Sequence, residues 1–385
     1  MKKCRVCFLL VFVSGLLTGC HATREITVDL TGNSDMEYTV YEEREKVPED
    51  IALEEYQVQI PQDSWCTASY MYSDKIYYAI SFSDHMVNQE TGETLPFEEK
   101  YNTRIYAYDC ATGEEELLYC YDLSYCIDVY NMCCNGSGLF WTDTVSRGEG
   151  DYLWRIFRLE LLREAEANGK PEPEVILDSD SAGSEQWDIT FTLAPEALYW
   201  CEPVGEGRNI LYRYDLITRE VTCEQEGIYL YSPYWPVEIS EQMMTTCTLT
   251  EDGSSNILVE SMDTGDEVRL LVDGEVTAPV SNGRLCVWSE KTRHRDLLYK
   301  YDMETEELER IQVSRLYTYG IIGDRLFIND WDTIWCYDNG TKTALFTPDE
   351  EVTYFPTTVV GQSIYGSRGI HLDPTLYIYR LTVTE

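Results

Sequence analysis

Short stretches in which apolar and aromatic residues alternate with polar ones recur along this chain, and most of them close on an acid. The clearest set is a pentamer. It reads IYAYD ending at Asp109, IFRLE at Glu160, LYRYD at Asp215, VESMD at Asp263, LYKYD at Asp302, IWCYD at Asp338 and IYRLT at Thr382. A period of two predicts strands, and copies that end 36 to 55 residues apart match the span of a four-stranded propeller blade. A second strand is predicted before each pentamer, at 75–81, 138–143, 197–201, 244–249, 284–288, 325–329 and 362–365. Candidates for innermost strands lie ahead of these at 187–192, 316–322 and 352–360, and a turn with a further strand follows each pentamer. The predicted fold is all-β, a seven-bladed β-propeller of four-stranded antiparallel blades over residues 53–385, with six or eight blades as alternatives. Too little chain follows Thr382 for a last fourth strand. The alternating stretch 55–60 is predicted to pair beside 377–382 instead, closing the last blade and removing two exposed sheet edges. The recurring acids are read as turn formers, because an Asp carboxylate there can accept backbone amides two and three residues on.

The first twenty residues carry Lys2, Lys3 and Arg5, then an apolar run of about eleven residues, too short to span a bilayer as a helix. They resemble the signal sequence of a bacterial lipoprotein, with Leu17, Thr18 and Gly19 as lipobox. That resemblance implies cleavage after residue 19 and lipidation of Cys20, and so a lipid-anchored protein on the extracytoplasmic face of the cell membrane. Residues 20–52, polar and acidic, read as a tether, with strand character around 38–41.

Composition sharpens this picture. With 69 acids against 29 bases the formal charge is −40, which excludes nucleic acid as a partner of the bulk surface. Thirty tyrosines, nine tryptophans and 24 glycines favour strands and turns. Removing the signal and lipidating Cys20 leaves an odd number of cysteines with no Cys-x-x-Cys, so mostly free, buried thiols are expected and a structural zinc site is not. Adjacent Cys133 and Cys134 are expected to point to opposite faces of a strand and to pack rather than form a redox pair.

The stretch LFWTD at 139–143 resembles the signature of YWTD propellers, and LYWCE at 198–202 and VWSE at 287–290 are weaker versions of it. With the lipobox, the chain is similar to DUF5050-type propeller lipoproteins. The resemblance implies a fold and a surface location and carries no catalytic residue.

No phosphate-binding loop, nucleophile elbow or zinc-protease motif occurs. Asp178 and Asp180 begin a stretch like a calcium loop, but Ile189 stands where a carboxylate is required, so no cofactor or metal is expected, with Ca2+ as an alternative against a solvated turn. Once blades are drawn, His85, Arg147, Arg208, Arg293, His294, Arg295, Arg368 and His371 fall in connections between second and third strands, which emerge on one face of a propeller. With Trp331 and Tyr365 they form a candidate binding face, against the plainer reading that they offset neighbouring acids. The 83–103 connection reads as a lid, and the 163–173 insertion as a helix or loop on the opposite face. The function predicted is a non-enzymatic platform for an extracellular protein, peptide or glycan. The alternatives are a carbohydrate-active enzyme using Asp330, Asp332 or Asp373 with His371, and a structural part of an envelope complex.

Overall fold

A computed structural model describes residues 23–384 except 31–36, 62–63, 83–102, 122–126, 149–150, 162–171, 185–188, 206–207, 230–236, 241, 251–252, 275, 292–295, 314–315, 317, 331–332, 347–351, 355–357, 361–362 and 371–374. Strands β1 (Thr23–Val28), β2 (Glu42–Arg44) and β3 (Ile51–Gln59) come first. Antiparallel meanders, labelled I to VII, follow in chain order. Meander I contains β4 (Ser64–Tyr72), β5 (Lys75–Phe82), β6 (Arg104–Asp109) and β7 (Glu115–Cys120). Meander II contains β8 (Ile127–Cys134), β9 (Gly138–Gly148), β10 (Asp151–Glu160) and β11 (Glu174–Asp178), followed by the single-turn helix α1 (Ser179–Ala182). Meander III contains β12 (Phe191–Leu193), β13 (Ala197–Gly205), β14 (Arg208–Asp215) and β15 (Val221–Tyr229). Meander IV contains β16 (Glu238–Ser240), β17 (Met243–Leu249), β18 (Ser255–Ser261) and β19 (Glu267–Val272). Meander V contains β20 (Thr277–Ser281), β21 (Leu285–Lys291), β22 (Asp296–Asp302) and β23 (Glu307–Val313). Meander VI contains β24 (Thr318–Ile322), β25 (Arg325–Asn329), β26 (Ile334–Asp338) and β27 (Thr341–Phe346). Meander VII contains β28 (Val352–Tyr354), β29 (Thr358–Val360), β30 (Ser363–Ile370) and β31 (Thr375–Val383).

The fold is all-β, built largely of four-stranded antiparallel units. Counted by hydrogen bonding, III and IV merge into one sheet, because Ile228 of β15 pairs with Thr248 of β17. The innermost position of VII is shared by β28 and β29, both of which pair with β30. Strand β3 lies antiparallel beside β31, with Glu55 opposite Tyr379 and Gln57 opposite Tyr377.

Apolar residues occupy both faces of most strands because each meander packs face to face against its neighbours. Ile105, Tyr77 and Ala79 of I meet Leu139, Trp141 and Phe157 of II. Trp154 and Ile156 of II meet Leu198 and Trp200 of III. Cys201 and Leu211 of III meet Val237 before β16, and Cys247 and Ile257 of IV meet Cys286 and Trp288 of V. Val287 and Leu298 of V meet Leu326 and Ile328 of VI, and Phe327 and Ile334 of VI meet Tyr379 and Leu381 of VII. Leu376 and Ile378 of VII, with Val58 of β3, meet Ile76, Tyr78 and Met71 of I. Trp141, Trp154, Trp200 and Trp288 are wholly buried in these interfaces.

Three of the recurring acids, Asp109, Asp215 and Asp302, cap turns as their spacing predicts. Asp109 accepts the amides of Ala111 and Thr112 at 3.0 and 2.9 Å, and Asp215 those of Ile217 and Thr218 at 2.9 and 2.8 Å. Asp302 accepts those of Glu304 and Thr305 at 2.9 and 3.1 Å. These bonds hold the Asp215 carboxyl down at about 2. Asp178 likewise accepts the Ser181 amide at 2.7 Å and caps α1, which gives the stretch read against a calcium loop a helical turn.

The segment read as a tether carries more structure than its polarity suggests. Strand β1 lies parallel on β19, Ile26 and Val28 enter the core between IV and V, and Arg24 meets Glu306. The Thr39 amide donates to the Arg310 carbonyl of β23, Tyr41 donates to Glu309, and β2 lies parallel on β27. Asp50 then pairs with Arg325 at 2.7 Å. The ten described cysteines are all free. Cys133 packs toward III and Cys134 toward I, on opposite faces of β8.

Candidate functional site

The innermost strands are stitched to one another by side chains. Asn131 of β8 donates to the Phe191 carbonyl at 2.9 Å, and Thr192 of β12 donates to the Val237 carbonyl at 2.9 Å. Ser240 of β16 donates to the Ile321 carbonyl of β24 at 3.4 Å, past meander V. Tyr319 of β24 directs its hydroxyl to the carbonyls of Thr277 and Ala278 on β20. Ala278 has a left-handed φ of 46°, a bend within the inner strand of V at which its ladder with β21 shifts register.

Glu238 stands among these strands. Its neighbours Val237 and Ile239 face meander III, so period two turns Glu238 toward V. Thr245 lies directly opposite it on β17 and shares that face. Glu238 is partly exposed by surface area, yet protein packs closely round its carboxylate. Among the described residues it has no hydrogen-bond or ion-pair partner, and desolvation alone pushes its pKa up to about 7. The Thr245 side chain is buried and its hydroxyl has no partner, and the same holds for the indole N–H of Trp288 in the IV–V interface. A small cavity of about 10 Å³ adjoins Tyr319 and is also lined by Thr318, Phe327 and Asn329.

A second buried polar group lies between I and II. Asp143, wholly buried, accepts from Arg155 Nε and Nη2 at 2.9 and 2.6 Å. It also bonds Tyr121, whose hydroxyl accepts the Trp141 indole N–H at 2.8 Å. Burial raises the Asp143 pKa and Arg155 opposes the rise. Its partners are all structural, so this is a clasp rather than an open site.

Four residues of the predicted face lie on described strands. Arg147 lies near the end of β9, Arg208 begins β14 and Arg368 lies near the end of β30, all at hairpins joining second to third strands. Tyr365 lies earlier on β30. His85, Arg293, His294, Arg295, Trp331, His371, Asp332 and Asp373 fall outside the described residues, as do Leu17, Thr18, Gly19, Cys20 and most of the 83–103 and 163–173 connections. Asp330 is described, and both its carboxylate oxygens are engaged, with the Thr333 amide and the Trp335 indole, each at 2.9 Å. Glu238 and Thr245 were not foreseen. The available signal was an acid in VEIS, where both faces of a strand are covered and a polar residue has no solvent side.

No protein-family model matches the chain, and no curated protein sequence does. Solved structures do. The β-propeller domain of the Trilobed protease from Pyrococcus furiosus matches 84% of this chain and 96% of that one, at 11% identity and a TM-score of 0.53. The Pyrococcus horikoshii acylaminoacyl peptidase matches 85% of this chain and 54% of that one, at 11% identity and the same TM-score of 0.53. The N-terminal domain of Nup159 matches 90% of this chain and all of that one, at 10% identity and a TM-score of 0.50. At such identities the likeness establishes a β-propeller fold and nothing of function.

Proposed function

We propose that the chain is a membrane-anchored, extracytoplasmic lipoprotein, similar to the DUF5050-type and YWTD-like propellers, whose seven-bladed ring is a non-enzymatic platform for an extracellular protein, peptide or glycan. Seven blades and closure are supported by the succession of apolar interfaces from I to VII and back to I, with β3 completing VII. The anchor is supported by the lipobox resemblance of Leu17, Thr18, Gly19 and Cys20. The observation that carries the platform reading is the stitching of the inner strands. Bonds from β8 to β12, from β12 to the residue before β16, and among β16, β20 and β24 favour a rigid support over a moving catalytic cleft.

Two experiments test this. In a bacterial host, Cys20→Ser is expected to move the protein from the membrane to the soluble fraction and abolish incorporation of labelled palmitate; unchanged partition overturns the anchor. The same soluble variant, screened by thermal unfolding against glycans and peptides, is expected to gain several degrees with at least one of them. Turnover of a glycan, lost on substituting Asp332 or Asp373, replaces the platform with the carbohydrate-active alternative.

A further inference from the structure

Meanders I and VI end on outer strands of one register. In VI, Cys336 and Tyr337 stand opposite Thr343 and Lys342, and the ladder shifts between Ile334 and Trp335. In I, Ala107 and Tyr108 stand opposite Glu116 and Glu115, and the ladder shifts between Ile105 and Tyr106. Residues 114–116 therefore occupy in I the place that 341–343 occupy in VI. There, VI carries an added strand. β2 lies parallel on it, with Glu43 opposite Lys342 and their charges 3.7 Å apart. Among the described residues no strand lies on the same place in I. The two edges differ in charge, because I presents Glu114, Glu115 and Glu116, all exposed. A groove of about 350 Å³ adjoins these acids and is lined also by Asp109 and Lys75, so four carboxylates face one ammonium. In II the same place holds Pro173, which has no amide to give, and in III Val221, which has no charge.

We propose that residues 114–116, at the outer edge of meander I, take up an extended cationic segment of a partner polypeptide. It adds as a strand parallel to β7, with a Lys or Arg opposite Glu115. The Glu43–Lys342 pair of VI is the pattern, with its charges exchanged. Glu114 turns its carbonyl to the Asp109 amide inside the meander, so alternation turns the N–H and C=O of Glu115 outward, where an incoming backbone can bond them. Backbone bonds supply the pairing, and the acids select its sign. A second copy of this chain, at a net charge of −40, is turned away by the same acids that draw in a segment of opposite charge. This deepens the platform reading, on which it rests, by naming the chemistry of one partner contact.

The test uses the soluble Cys20→Ser chain and the capped heptapeptide TKVKVKT as probe, followed by calorimetry and hydrogen-exchange mass spectrometry at low ionic strength. One saturable site is expected, with amide protection over 114–117 and none over 220–223. Glu115→Gln is expected to weaken binding about threefold, through charge alone. Glu115→Pro is expected to weaken it at least tenfold, because proline removes the outward N–H and leaves the ladder to β6 untouched. The glutamate counterpart TEVEVET is expected not to bind. Equal affinity of the Gln and Pro variants overturns strand addition in favour of charge attraction. Where Glu115→Pro does not fold, a probe N-methylated at both valines makes the same test from the ligand's side, and undiminished binding of it overturns strand addition. Protection elsewhere, or no saturable binding, overturns the site. If nothing binds here while the thermal screen yields a ligand, the edge fails and the platform reading stands.

Discussion

The outer strands of meanders IV to VII and those of I to III are finished in different ways. On IV, V, VI and VII the amino-terminal segment runs along the rim, as β1 on β19, a backbone bond to β23, β2 on β27 and β3 on β31. Among the described residues no added strand lies on β7 or β11, and β15 is met only at Ile228, by Thr248 of β17. There the edge is managed by charge, with Glu115, Glu116, Glu174, Glu220 and Glu224 exposed. Apolar residues show accordingly. Leu117, Val175 and Val221 are exposed on the outer strands of I, II and III, whereas Leu270, Val272, Ile311 and Val313 on those of IV and V are buried. An unpaired strand edge is a template for association, and one molecule here uses two remedies, cover and repulsion.

The largest effect expected on this contrast comes from deleting residues 21–46. Ile26 and Val28 leave the core, at about 1.5–3 kcal/mol each, and three edges are bared. We expect the unfolding midpoint to fall by roughly 10 °C and the protein to self-associate on gel filtration; a monomer with an unchanged midpoint means the rim segment is ornamental. Next comes Asp143→Ala, which removes the paired bonds from Arg155 inside the I–II interface and is expected to cost about 3 kcal/mol in urea unfolding.

Glu238→Gln should act in the opposite direction. The carboxyl has an ordinary value of 4.5 and is raised to about 7 in the fold, so between these values the folded state holds a proton that the unfolded state has lost. Stability therefore falls as pH rises from 4.5 to 7 and the penalty persists above. The variant is expected to be more stable than the parent by on the order of 2 kcal/mol at pH 8 and equal to it at pH 4. Equal stability at both pH values places the carboxylate in free solvent. The smallest effect belongs to the charged edge, where Val221→Thr is expected to change stability by less than about 0.5 kcal/mol, against about 2 kcal/mol for Val272→Thr under β1.

The sequence made the repeat legible because each pentamer combines alternation with a turn acid, and both signals are local. Arg325–Asn329 and the pairing of β3 with β31 follow from that register. Strands β1 and β2 were not legible, since TREITV and EER take their conformation from β19 and β27 far along the chain. Strand β16 is three residues long, too short for any period. Glu238 gained its character from meanders V and VI, which no window around residue 238 contains.

The pairing of β3 with β31 also bears on time. Residues 51–59 are synthesised long before their hydrogen-bonding mate, which ends at Val383. A nascent chain thus carries β3 unmated until β31 has been made. Contacts so distant along the sequence make for slow maturation, and until they form the outer edge of β31 stays open to association.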